Sequence, residues 1–133
     1  MITEDYVSFE VAKLLKEKGF DESISMVYMP YGDLCKLDRY DSIRNSNYND
    51  ITKSYFEYTA PTLQMAMKWL REVHNIHCDI GYDDCDWFWN IVTIDKNVPV
   101  EDRPLFIKIG LAGYESYEEA CETAIKWCLE KLF

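Results

Sequence analysis

Two histidines beside a cysteine are the side chains of this sequence that are best suited to bind a metal. His74 and His77 are the only histidines, and Cys78 follows directly. Imidazole and thiolate groups are zinc ligands, and one turn of helix would bring the two imidazoles together, with Cys78 or Cys85 completing the site. A structural zinc site normally needs a second pair of ligands, which the sequence lacks. The alternative places His74 at the edge of the core near a helix end, so we predict no metal and no other cofactor.

Four aspartates form an acidic cluster just after the histidines: Asp79, Asp83, Asp84 and Asp86. Carboxylate oxygens suit hard cations such as calcium. The segment lacks the glycine and the distal glutamate of an EF-hand loop. We therefore interpret residues 83–86 as a solvated turn.

The motifs of nucleophilic and nucleotide-dependent enzymes are missing from the sequence. No serine stands in a Gly-x-Ser-x-Gly elbow, and no glycine-rich loop precedes a helix. The five cysteines are odd in number and show no CxxC spacing, which favours free thiols. Cys121 and Cys128 lie seven residues apart on the apolar side of a predicted helix, so we expect both to be buried and unreactive. We predict no catalytic residue, and the sequence favours a protein that is not an enzyme without deciding the question.

Aromatic side chains provide the stronger indication of a binding site. Trp87 and Trp89 share one face of a predicted strand, and Phe88 lies on the other. A sheet covered by helices on one side leaves one such face exposed, which would favour binding of a protein partner. The alternative is that both faces are covered. Three tyrosines from the polar segment 38–60 complete the predicted partner-binding set: Tyr48, Tyr55 and Tyr58.

The elements that must position these residues follow from apolar periodicity. A helix is predicted over residues 6–18 and ends at Gly19, which suits a left-handed cap. Strands at 24–29 and 34–37 form a hairpin, and residues 38–60 form a long polar, tyrosine-rich loop. The second helix begins near Pro61 with Thr59 as its N-cap. Its predicted apolar face comprises Leu63, Ala66, Met67, Leu70 and Val73.

The C-terminal half completes the predicted fold. Strands are expected at 78–82, 87–94 and 105–109, the last ending near Gly110. A closing helix follows Ser116, which with Glu119 makes a capping box. This order predicts one α+β domain over residues 1–133. We expect a two-layer sandwich with about three helices on a small antiparallel sheet of about four to five strands.

The charge of the chain bears on the class of partner. The 133 residues carry a net charge of −10, and neither half has a basic cluster. Direct binding to nucleic acid or to anionic lipid is therefore disfavoured. No apolar segment approaches the length of a membrane span, and the N-terminus has no signal-peptide pattern, so we expect a cytoplasmic protein. The sequence leaves the oligomeric state open.

Three segments resemble a family of small uncharacterised proteins that is frequent in gut anaerobic bacteria, their phages and mobile elements. They are residues 7–20 (VSFEVAKLLKEKGF), 60–72 (APTLQMAMKWLRE) and 114–121 (YESYEEAC). Residues 61–133 also resemble the phage "ABA sandwich" domain in the order helix, antiparallel sheet, helix. These resemblances imply a phage or mobile-element context, and they bring no activity and no site residues.

Three functional hypotheses follow. The first is an accessory protein of phage or mobile-element origin that binds another protein. The second is an acidic mimic of nucleic acid that inhibits a host defence or regulatory protein, which requires acids gathered on one face. The third is a small metal-binding protein or enzyme that uses His74 and His77.

Overall fold

The protein has an α+β fold in the computed structural model, which describes residues 1–37, 42–45 and 57–133. Its contacts divide the chain into an N-terminal unit, Met1–Thr62, and a C-terminal unit, Leu63–Phe133. The described residues form three α-helices and two three-stranded antiparallel sheets. The α+β class and the three helices are confirmed. The predicted single sheet of four to five strands is wrong, because each unit completes a three-stranded sheet of its own.

The N-terminal unit begins with helix α1, Phe9–Glu17. Ser8 caps it by accepting a hydrogen bond from the Val11 amide at 3.2 Å. Gly19 ends it with a left-handed φ of 96°, as predicted. The buried Phe20 follows, and its amide donates to the Leu15 carbonyl. The sheet of this unit has the order β2-β1-β3, from strands Met26–Tyr28 (β1), Leu34–Lys36 (β2) and Tyr58–Thr59 (β3).

Asn45 connects distant parts of the N-terminal unit. Its buried side chain donates to the Phe20 carbonyl at 2.7 Å and accepts from the Thr59 amide at 3.0 Å. Thr59 is thereby held in β3, opposite Val27. The prediction that Thr59 caps the second helix is therefore wrong, because its backbone belongs to the sheet.

Replacing Asn45 should destabilise the N-terminal unit. In Asn45→Ala, a buried carbonyl and a buried amide lose their partner, so we expect a loss of about 1–3 kcal/mol in the free energy of unfolding. Urea denaturation followed by circular dichroism measures it. The exposed Asn97 is the matched control, and Asn97→Ala should stay within about 0.5 kcal/mol of the wild type. Equal stability of the two variants would contradict this role.

The C-terminal unit has the order helix, three strands, helix. Helix α2 spans Leu63–His74, strand β4 Ile76–Asp83, strand β5 Asp86–Thr93, strand β6 Leu105–Tyr114 and helix α3 Tyr117–Lys131. A 3₁₀ turn at Val100–Asp102 precedes β6. The sheet order is β4-β5-β6, so β5 is central. Ser116 caps helix α3 by accepting a hydrogen bond from the Glu119 amide, as the capping pattern predicts.

The core of the C-terminal unit lies between its helices and one face of β4 and β5. Trp89 is 4% exposed and lies against Trp127 of α3, with ring centroids 6.1 Å apart. Gly110 of β6 makes this packing possible, since a Cβ there would lie 2.3 Å from the Trp89 carbonyl oxygen. Strand β6 thus runs through Gly110 rather than ending there as predicted. The apolar face of α2 is buried as expected except for Val73, which is exposed.

Candidate functional site

Strand β6 is the feature of the structure best suited to bind a partner. It lies at the edge of the sheet, and among the described residues no strand pairs with its outer side. Its large apolar side chains are exposed: Leu105 48%, Phe106 47%, Ile107 40%, Ile109 71% and Leu111 78%. We call these five residues the β6 row. A long apolar edge strand is a template for pairing with another chain.

The β6 row presents apolar surface on both faces of the sheet. Ile109 pairs with Asn90 and Phe106 with Val92, so both lie on the face away from Trp89. Leu105 pairs with Thr93 and lies on the face that the helices occupy. Register shifts along β5–β6 bend the edge locally. Both faces of β6 are therefore exposed to solvent.

The binding surface predicted from the sequence lies on β5, one strand away from the exposed β6 row. One sequence feature of β6 could have indicated the row: residues 105–114 contain no acidic residue and one lysine, in a chain with 24 acids. A segment without acidic residues in an otherwise acidic chain is compatible with an interface, because the cores of interfaces are depleted of charged residues.

The predicted tryptophan site is packed against helix α3. The Trp89 indole donates to the Tyr114 hydroxyl at 3.0 Å. The half-buried Trp87 ring lies 5.0 Å from Tyr82 and 5.5 Å from Tyr117, measured between centroids. The face shared by the two tryptophans is thus the one covered by helices, and a role in partner binding stays a prediction.

The predicted tyrosines lie in the N-terminal unit. Tyr48 and Tyr55 fall outside the described residues. Tyr58 is half-buried in β3, and its ring lies 5.7 Å from Phe9. The Lys16 ammonium lies 5.1 Å from the Tyr58 ring centre and donates to the Glu57 carbonyl. Tyr58 therefore contributes to packing between β3 and α1.

The two histidines lie on different elements. Helix α2 ends at His74, and Asn75 takes a left-handed φ of 57° before β4 begins, so His77 is on a strand. The premise that one helical turn joins the two imidazoles is wrong. Cys78 follows His77 on the strand and points to the opposite face, where its Sγ lies 4.0 Å from that of Cys128. Within the described ranges, no group of three His, Cys, Asp or Glu side chains could hold a metal ion.

His74 lies at the edge of the core. Its ring centroid is 4.6 Å from that of Trp69 and 4.5 Å from that of Phe133. Burial against these rings lowers the pKa of His74. The position agrees with the expected histidine at the core edge near a helix end.

The aspartate cluster surrounds the β4–β5 hairpin. Asp83, Asp84 and Asp86 are exposed, and Asp84 and Cys85 form the turn, as predicted. A separate open cleft of about 560 Å³ lies at the end of α2, lined by side chains that include Arg71, Glu72, Asp95 and Lys96. Positive and negative side chains both line this cleft, so its charge favours neither an anionic nor a cationic ligand.

Three thiols are enclosed in the core of the C-terminal unit: Cys78, Cys121 and Cys128. The hydrogen bond with Cys128, together with burial, raises the pKa of the Cys78 thiol. Burial raises the pKa of the Cys121 thiol to about 11. Since the thiolate is the nucleophile, these side chains are poorly suited to covalent catalysis.

Comparisons with protein-family models, curated proteins and solved structures find no significant match to this chain. None of the helices in the described part has the length and apolar character of a membrane span.

The thiols should separate into two groups by reactivity. Cys35 and Cys85 are exposed. We expect the native protein to release thionitrobenzoate from Ellman's reagent rapidly at these two positions, and at the three buried thiols only after denaturant is added. Cys35→Ser and Cys85→Ser should each remove one rapid equivalent. Rapid labelling of Cys121 or Cys128 would contradict the burial.

His74 should make the stability depend on pH. Its pKa is lowered in the folded protein, so protonation favours the unfolded chain. Stability should therefore fall as the pH drops below about 6.5 and level off below the folded pKa. Thermal melts at about pH 8 and about pH 5 should differ less in His74→Gln than in the wild type. An unchanged difference would exclude His74 as the cause.

Proposed function

We propose that this protein is a non-enzymatic accessory protein that binds another protein chain along strand β6. The observation that supports this most directly is the exposed β6 row on the open edge of the sheet. A partner strand that adds to this edge would satisfy the free backbone groups and cover the apolar side chains in one step.

The size of the surface is compatible with a contact to another protein. With 40–78% of each of five large apolar residues exposed, the β6 row offers on the order of 500 Å² of apolar surface, summed over both faces of the sheet. This total is comparable with the largest contiguous patch of a typical monomer, roughly 300–600 Å², which is often functional.

The proposed context is a phage or mobile element, and it rests on the resemblance of residues 7–20, 60–72 and 114–121 to the family named above. The order helix, three strands, helix in residues 63–133 agrees with what the second resemblance implies.

A photo-crosslinker tests the proposed binding edge. Ile109→p-benzoylphenylalanine places the probe in the β6 row, and Val73→p-benzoylphenylalanine places it on α2, where Val73 is also exposed. After irradiation of the source cells, we expect protein adducts from position 109 and none from position 73. Adding Leu111→Lys should remove the adducts, since a charge at this edge opposes strand pairing.

Equal adduct yields from the two positions, or no adduct from position 109, would contradict the proposed function. Circular dichroism of the purified variants should show unchanged folding, because Ile109 and Leu111 are among the most exposed side chains of the unit.

A further inference from the structure

We propose that the chain bound at β6 is a second copy of this protein, paired antiparallel about a two-fold axis in a closed dimer. This inference rests on the proposed function and names its partner. The two C-terminal units would share one six-stranded sheet of order β4-β5-β6-β6-β5-β4.

The first argument is the area that such a pairing covers. Two β6 rows together expose on the order of 1,000 Å² of apolar surface, and antiparallel pairing covers the part that faces the partner strand, to which the paired backbones add. A stable interface needs about 1,000 Å² or more with good complementarity. A second copy therefore supplies apolar surface on the scale that a stable interface needs.

The second argument is self-complementarity. In an isologous contact, residue i meets residue j and j meets i. In a regular antiparallel register with the two-fold axis at Ile109, Ile107 of each copy would stand opposite Leu111 of the other, and Lys108 opposite Gly110. The register shifts of β6 toward β5 fall at these residues, so the pairing requires its outer edge to run regularly there. Both cross-strand apolar pairs join side chains that are exposed in the single chain. Moving the axis to Lys108 would oppose two ammonium groups, which disfavours that register.

The third argument is closure. The outer edges of the shared sheet would be the two copies of β4, which carries Asp79 and Asp83. Charged residues on an edge strand disfavour addition of a further strand. Pairing through β6 should therefore stop at two copies rather than continue into a fibre.

The charges at the ends of β6 determine how the stability of the dimer should depend on salt. Glu101, Asp102 and Arg103 precede the strand, and Glu115 follows it. Antiparallel pairing about Ile109 places Arg103 of one copy opposite Glu115 of the other, but Glu101 and Asp102 leave each junction with a net charge of −2, and each chain carries −10, so repulsion between the copies predominates. Salt screens this repulsion, and the apolar contact is not weakened by screening, so added salt should strengthen the dimer.

The experiment is sedimentation velocity of the full chain over a range of micromolar concentrations, at about 0.05 M and 0.5 M NaCl. We expect twice the chain mass at the higher concentrations and a smaller dissociation constant at high salt. In a two-fold dimer each substitution occurs on both sides of the interface. Ile109→Lys should therefore raise the dissociation constant at least about tenfold. Val73→Lys is the matched control and should leave it unchanged.

The possible results separate the two proposals. A monomer at all concentrations overturns the dimer, and crosslinking from position 109 then decides the proposed function: adducts with another protein uphold it, and their absence overturns it as well. A dimer that persists in Ile109→Lys overturns the assignment to β6. Assemblies larger than a dimer overturn the closed arrangement.

Discussion

The packing of Trp89 between strand β6 and helix α3 is the interaction on which the C-terminal unit depends. The indole donates to Tyr114, lies against Trp127 and passes over Gly110, so one side chain connects β5, β6 and α3. A ring of this size buries roughly 150–250 Å². It holds α3 over the centre of the sheet.

This arrangement also accounts for the exposure of β6. Helices α2 and α3 pack mainly against β4 and β5, and the row formed by Leu105, Phe106, Ile107, Ile109 and Leu111 stays in solvent. Natural edge strands are usually short, charged or covered. Strand β6 is ten residues long and carries one charge, Lys108. An edge of this kind is costly in an isolated chain, which is why we place the function there.

Local chemistry made part of the structure predictable, and non-local contacts decided the rest. Gly19 and Ser116 end and begin helices through their own backbone and side chain, so sequence alone located both. Thr59 lies in a strand because Asn45, fourteen residues away, holds its amide. Gly110 looked like the end of a strand, whereas it accommodates Trp89. The sequence could not indicate the exposed side of β5, because apolar residues occur on both of its faces and burial depends on where the helices pack.

Amide hydrogen exchange along β6 tests the central claim most directly, because it reports on the backbone groups that a partner strand would use. In dilute protein, the amides of β6 that point away from β5 should exchange quickly. At concentrations where the protein associates, they should become protected, and the outer amides of β4 should not change. Outward amides of β6 that are protected even at the highest dilution, or that stay unprotected when the protein has associated, would contradict the account.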